Sequence, residues 1–338
     1  MDDLQDVLNK RIAARLPKWS SGILLLLIIA GAAKYLGTLF PLVGSILFAI
    51  ILGIAINNTV GVHAVFQPGL SLTLKKLLKA AVVMLGVSLS LADILLIGRQ
   101  SLWIILVSVI LGIVMTVWAG SLLKMDRKLS LLIGVGTSIC GATAISAVKG
   151  VIDSDDNETA YAISIIVFFN LIAFFLYPMV GHVLDLNSMS FGIWAGTAVH
   201  DTSSAIAVGY VYGNEAGQVA TTVKLARTLF LLPLILVLPL LLKTDTPRGS
   251  TAARKAFPWF VLLFLAVSIV NSFGIIPGAV EEAVTDTAKF IIIMVMAAVG
   301  LQVNLKQFAK LGWKPLIAGL AASVTVSVVS LVMILFLL

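Results

Sequence analysis

Residues 196–208 read GTAVHDTSSAIAV. A histidine stands beside an aspartate, Thr202, Ser203 and Ser204 follow, and apolar residues lie on both sides. The surroundings set the solvent. Of 338 residues, 60% are hydrophobic and 12% charged, and the mean hydropathy is +1.10. A soluble domain carries about 25% charged residues. Apolar runs of roughly 20 residues recur along the chain, each long enough to cross a hydrocarbon layer about 30 Å thick. The sequence encodes an all-α polytopic membrane protein, and 196–208 lies inside one of its spans.

Eleven spans are expected, near 20–38, 42–58, 78–97, 101–123, 129–150, 159–180, 189–211, 216–242, 257–274, 286–305 and 314–338. Basic clusters fall at 10–18, 75–79, 124–128, 243–255 and 306–314. Threading eleven spans puts all five on one side, and puts the acidic IDSDDNE (152–158) and AVEEAVTD (279–286) on the other. Lys and Arg collect on the cytoplasmic face. The expectation is a multi-pass protein of the inner (plasma) membrane, with its N-terminus inside and its C-terminus outside. Basic residues followed by GILLLLIIAGAA (22–33) also fit a cleaved secretory signal. The other ten spans keep their orientation under either reading.

Several functions are excluded early. The single cysteine, Cys140, allows no disulfide framework and no multi-thiolate metal site within one chain. Three histidines without a carboxylate cluster point to no metal and no cofactor. The formal charge of +7 sits at span ends, where the bilayer accounts for it and no nucleic acid is implied.

Of the sixteen acidic residues only Asp201 lies near a span centre, and Lys224 and Arg227 lie deep in the following span. A charge at a helix centre costs about 2.5–3.5 kcal/mol on insertion scales, so it faces a partner or a cavity. Two readings follow. Asp201 pairs with Lys224 or Arg227 to lock two helices, or these groups line a site for an ion or substrate. GVGTSICGATAISAV (134–148) has three glycines and five hydroxyl or thiol side chains in one span. Aligned without gaps, 136–148 matches 196–208 at Gly136/Gly196, Thr137/Thr197, Ala147/Ala207 and Val148/Val208. Such crowding suits a helix that is interrupted beside a cavity, as in transporters that present half-helix N-termini to anions. A second internal match, offset by 214, pairs Gly86, Leu91, Gly98 and Leu102 with Gly300, Leu305, Gly312 and Leu316. The two copies run in opposite directions, as an inverted repeat requires.

LLIGVGTSICGATAISAV (131–148), GTAVHDTSSAIAVG (196–209), VKLARTLFLLPL (223–234) and LFAIILGIAINN (47–58) together resemble the signature blocks of the YeiH-type family of sulfate exporters. The resemblance implies kinship with the bile-acid symporter and sodium/proton antiporter superfamily, with its inverted five-helix repeats and elevator-type movement. Residues 1–41 would then be a basic segment with an added first span, and 42–180 and 189–338 the two repeats. The fifth and tenth spans would cross, bringing GTSICGAT together with VGLQVN (299–304).

The expected function is secondary active transport of a small inorganic or organic anion, sulfate or a related sulfur oxyanion, coupled to protons or sodium. Lys224 and Arg227, three residues apart, share a helix face and offer a point charge and a planar fork to an oxyanion. Substrate contacts are assigned to Gly136, Thr137, Ser138, Cys140, Gly141, Thr143, Thr202, Ser203, Lys224, Arg227 and Gln302. Ion coupling is assigned to His200, Asp201 and Asn304. A second copy of the chain, as a homodimer, counts among the expected partners. An anion channel is the alternative, although the polar groups cluster near one depth. A hydrolase built from His200, Asp201 and Ser203 or Ser204 is disfavoured, because adjacent helical residues point about 100° apart.

A reporter fused after Leu338 is expected to read outside and one after Lys255 inside. An inside reading after Leu338 would refute the eleven-span threading.

Overall fold

In hydrocarbon every backbone N–H and C=O needs an internal partner, and an α-helix supplies these partners within one segment. The computed structural model describes residues 17–41, 43–242 and 257–338, and every regular element among them is helical. In chain order these are α1 (Ser20–Leu39), α2 (Gly44–Thr59), α3 (Gln67–Leu72), α4 (Leu78–Leu85) and α5 (Leu91–Leu122). There follow α6 (Arg127–Ser138), α7 (Ala142–Ile152), α8 (Asp156–Val183), α9 (Ser188–Ala198), α10 (Thr202–Tyr212), α11 (Asn214–Leu229) and α12 (Leu231–Leu242). The last are α13 (Trp259–Ser272), α14 (Gly278–Gln302), the short α15 (Leu305–Phe308) and α16 (Trp313–Leu337). Among the described residues, six helical stretches are long and apolar enough to cross a membrane as single pieces. The basic clusters at 10–15 and 243–255 lie outside the described residues.

One expected boundary moves. The sequence reading places a loop at 98–100, yet α5 runs through Gly98, Arg99 and Gln100 without interruption. Its start is fixed by a capping box. Ser90 Oγ accepts from Asp93 N at 3.1 Å, and Asp93 Oδ2 accepts from Ser90 N at 3.2 Å. The chain breaks at Leu89, whose backbone is extended, rather than at the polar triplet.

Two compact units are distinguished by their internal packing. The first takes residues up to 81 together with 287–304. Within it α2 and α14 approach closely at Gly53 and Gly300: a Cβ on Gly53 would stand 2.5 Å from the Ala297 carbonyl oxygen. Just past the end of α14, Val303 O accepts from both Asn57 Nδ2 and Asn58 Nδ2 at 2.9 Å. The NN pair of LFAIILGIAINN thus ties down the point where α14 stops.

The second unit takes 82–286 and 305–338. Here α6 and α7 are two halves of a helix broken at 139–141, and α9 and α10 are halves of another broken at 199–201. Helix α11 packs against α9 through Gly192 and Gly196, one turn apart. A Cβ at either would lie 2.8 Å from a carbonyl oxygen of α11, that of Ala216 or Ala220. Without a hydrophobic drive between helices in lipid, such close backbone approach through small residues is what holds them. It also brings Lys224 and Arg227 of α11 up to the breaks.

Gly196→Ala is expected to lower the thermal unfolding midpoint of the purified protein, since its methyl group meets backbone. Gly98→Ala, in a helix with nothing within 4 Å of the new carbon, is expected to be neutral or to stabilise by about 0.5–1 kcal/mol. Equal midpoints for the two variants would contradict the packing.

Candidate functional site

The site is built from the two breaks. At the first, Ile139 leaves helical geometry at φ −124° and ψ −88°, and Gly141 takes φ +66°. Glycine enters that left-handed region without the strain a side chain would bring. Gly141 N donates to Gly136 O at 3.0 Å, closing the turn, and α7 begins at the next residue. At the second break Val199 is extended, at φ −71° and ψ 135°, and so is Asp201, at φ −88° and ψ 152°. Asp201 is the N-cap of α10: its Oδ2 accepts from Ser203 N at 3.0 Å and from the Ser203 hydroxyl. From α8, Asn170 Oδ1 accepts from His200 N and Asp201 N, each at 3.1 Å.

Each broken helix leaves carbonyls without intrahelical partners at the negative end of its dipole. Lys224 and Arg227, both fully buried, fill that gap. Lys224 Nζ donates to Ile139 O at 3.0 Å, Val199 O at 2.8 Å and His200 O at 2.5 Å. Arg227 Nε donates to Ser138 O at 2.6 Å, Nη1 to Val199 O at 3.1 Å and to Thr197 O, and Nη2 to Thr137 O. The contacts are in register. Arg227 takes Thr137 O and Thr197 O, and Lys224 takes Ile139 O and Val199 O, residues 60 apart in both cases. The match between 136–148 and 196–208 is therefore an equivalence in space.

This arrangement revises the expected roles of both cations. An ammonium has three donors, and all three of Lys224 are given to carbonyls. Lys224 and Arg227 are thus engaged with the scaffold, Lys224 through every donor and Arg227 through four contacts. Asp201 pairs with neither of them: its carboxylate is held by Ser203.

The block of assigned substrate residues divides at the breaks. Gly136, Thr137, Ser138 and Cys140 lie wholly inside, on the carbonyl side. A Cβ on Gly136 would stand 2.7 Å from Ile145, which makes its role one of packing. On the other side Thr143 is exposed, Asp201 and Thr202 are half-buried, and Ser203 is buried. His200 turns away from Asp201. Its Nε2 shares a hydrogen bond with Ser323 Oγ of α16 at 2.8 Å, and Nδ1 has no partner among the described residues. His200 is thus joined to Ser323 and Asp201 to Ser203, so these side chains form two separate pairs.

Gln302 and Asn304 belong to the first unit. Within the second unit the break in GTSICGAT is paired with the one in GTAVHDTS, because the two cations of α11 close on both stretches. Asn170 and Ser323 are contributors the sequence reading missed. Asn170 is the one amide in the apolar run 159–180, and that isolation was the available signal.

What remains accessible is a pair of helix N-termini. Helix α7 has no side-chain cap, its N-cap being Gly141. A Cβ there would lie 3.0 Å from Asp201 Oδ1, so the same carboxylate that caps α10 lies against the start of α7. Two positive dipole ends around one carboxylate form an environment suited to negative charge. No cluster of three or more His, Cys, Asp or Glu side chains able to hold a metal occurs among the described residues.

Similar proteins match this chain over nearly their full length. A UPF0324 membrane protein of Clostridium tetani is 37% identical over 330 residues, 93% of this chain and 96% of that one. One from Streptococcus pyogenes serotype M18 is 38% identical over 324 residues, 92% and 95% of the two chains. Another, from Fusobacterium nucleatum, is 36% identical over 331 residues, 92% and 96%. Residues 21–319 match the family model described as conserved hypothetical protein 698. The chain belongs to this family of UPF0324 membrane proteins.

Proposed function

We propose that this protein is a secondary transporter of a small anion, with Asp201 as its ion-coupling group. The observation that carries the reading is the position of Asp201: one half-buried carboxylate caps α10 and lies against the glycine-capped start of α7. Broken helices in a membrane protein are tolerated where they line a cavity, and their N-termini attract anions. The carbonyl side is closed by Lys224 and Arg227, so an anion is directed to the N-terminal side, where Thr143 and Thr202 bring hydroxyl donors.

Asp201 and an incoming anion seek the same positive helix ends. Two negative charges side by side in low dielectric repel, so the anion binds best when a proton or a sodium ion neutralises the carboxylate. Coupling then follows from competition for one potential. The resemblance to YeiH-type exporters supports sulfate or a related sulfur oxyanion as cargo and an elevator-type cycle.

The test is a thermal-shift screen of purified protein with sulfate, thiosulfate, sulfite and organic sulfonates, at several pH values with and without sodium. A ligand at 100 times its Kd stabilises by about 2.7 kcal/mol. Asp201→Asn is expected to stay folded and to keep the anion-induced shift while losing its dependence on pH or sodium, since an amide takes up no proton near neutrality. Ion dependence that persists in Asp201→Asn would remove Asp201 from the coupling role.

The clamp gives a contrasting expectation. Val199 O accepts from both cations, so Lys224→Met leaves two carbonyls without a donor and Arg227→Met three. At about 1–3 kcal/mol for each group left unsatisfied, either change is expected to cost about 2 kcal/mol or more in unfolding experiments. A variant that unfolds like the wild type and merely loses anion binding would return the cation to the substrate.

A further inference from the structure

The two breaks are equivalent in register but are closed by different means. The first closes on itself. Gly141 N reaches back to Gly136 O at 3.0 Å, and Ile145 N reaches Gly141 O at 3.2 Å as α7 starts. At the second the helix start is equivalent, Ala205 N reaching Asp201 O at 3.0 Å, but Val199 and Asp201 are extended and the N–H of Asp201 does not turn back to Gly196 O. The N–H groups of His200 and Asp201 instead share one acceptor, Asn170 Oδ1, at 3.1 Å each. Asn170 is itself buried, midway along α8, and the ring of its neighbour Phe169 meets the His200 ring edge-on at 6.5 Å between centroids.

We propose that Asn170 is a positioning residue, whose side-chain carbonyl holds the His200–Asp201 backbone extended and thereby sets where the Asp201 carboxylate lies. The proposal deepens the transporter reading and rests on it for the significance of that carboxylate. The chemistry suits the task. An amide oxygen has two lone pairs and so accepts both N–H groups, and being neutral it adds no charge beside Asp201. An apolar residue here would leave two N–H groups unpaired in a setting without water, and the segment would have to rearrange.

The experiment uses the full chain in lipid nanodiscs, with Asn170→Leu, Asn170→Ala and Asn170→Gln. Amide hydrogen exchange is followed by mass spectrometry in peptides covering 196–206 and 134–144, alongside carbodiimide modification of Asp201. In Asn170→Leu we expect exchange at 200–201 to rise at least ten-fold with 134–144 unchanged, and Asp201 modification to quicken at least five-fold. Asn170→Gln keeps a neutral acceptor oxygen and is expected to restore both to within two-fold of wild type. If Asn170→Leu does not fold, Asn170→Ala against Asn170→Gln decides the question in the same way. Unchanged exchange without the acceptor, an equal rise in both peptides, or no rescue by Asn170→Gln would each overturn the proposal. Should no anion stabilise any variant while exchange behaves as expected, the transporter reading falls and the positioning role stands.

Discussion

The second unit depends on seven hydrogen bonds from two side chains of one helix. Lys224 and Arg227 reach only main-chain carbonyls, at the ends of α6 and α9 and in the breaks that follow. An isolated buried charge is heavily penalised, and so is a helix end without partners. Brought together, each removes the other's penalty. The cations are solvated by carbonyl dipoles, and the two negative helix ends are neutralised where water is absent. The glycines of α9 belong to the same arrangement, since only their lack of a Cβ lets α11 come close enough for both cations to reach.

This division of the broken helices into a closed end and an accessible end determines what chemistry is available. The carbonyl ends are occupied and buried. The N-terminal ends meet a single carboxylate, and Asp201 and Thr202 are half-buried there. The positive charge of Lys224 and Arg227 is therefore spent on the carbonyl ends. It fixes the helices whose dipoles then present positive potential on the opposite side. A lysine or arginine facing the cargo would hold an anion strongly and release it slowly, whereas helix N-termini offer a weaker attraction that a nearby carboxylate can offset.

Much of this was legible in the chain. Composition and hydropathy set the fold class, and the glycine-rich block 134–148 marked one break; the ungapped match to 196–208 held the register of the second, which the sequence reading did not identify as a break. The loop expected at 98–100 was misplaced because Gly98, Arg99 and Gln100 look polar, while the signal that governs the start of α5 is the Ser90–Asp93 capping box eight residues earlier. The role of Lys224 and Arg227 was not legible. Their spacing establishes a shared face, but a sequence contains no record of which carbonyls that face meets. VGLQVN has a break signal of its own, and there Val303 O is held by the asparagines of α2.

The polar residues of the membrane interior thus sort by the kind of backbone group they complete. Cations complete carbonyls at helix C-termini, Asp201 completes N–H groups at a helix N-terminus, and Asn170 completes the two N–H groups of an extended link. Each side chain matches in sign or polarity what the broken helix exposes at that point. Only Asp201 among them carries a charge and also retains partial exposure. A group that must exchange an ion during a cycle has to remain reachable, whereas groups that hold the scaffold are best sealed. The burial of Lys224, Arg227 and Asn170 fits groups that hold the scaffold, and the partial exposure of Asp201 leaves it reachable, as the coupling role proposed for it requires.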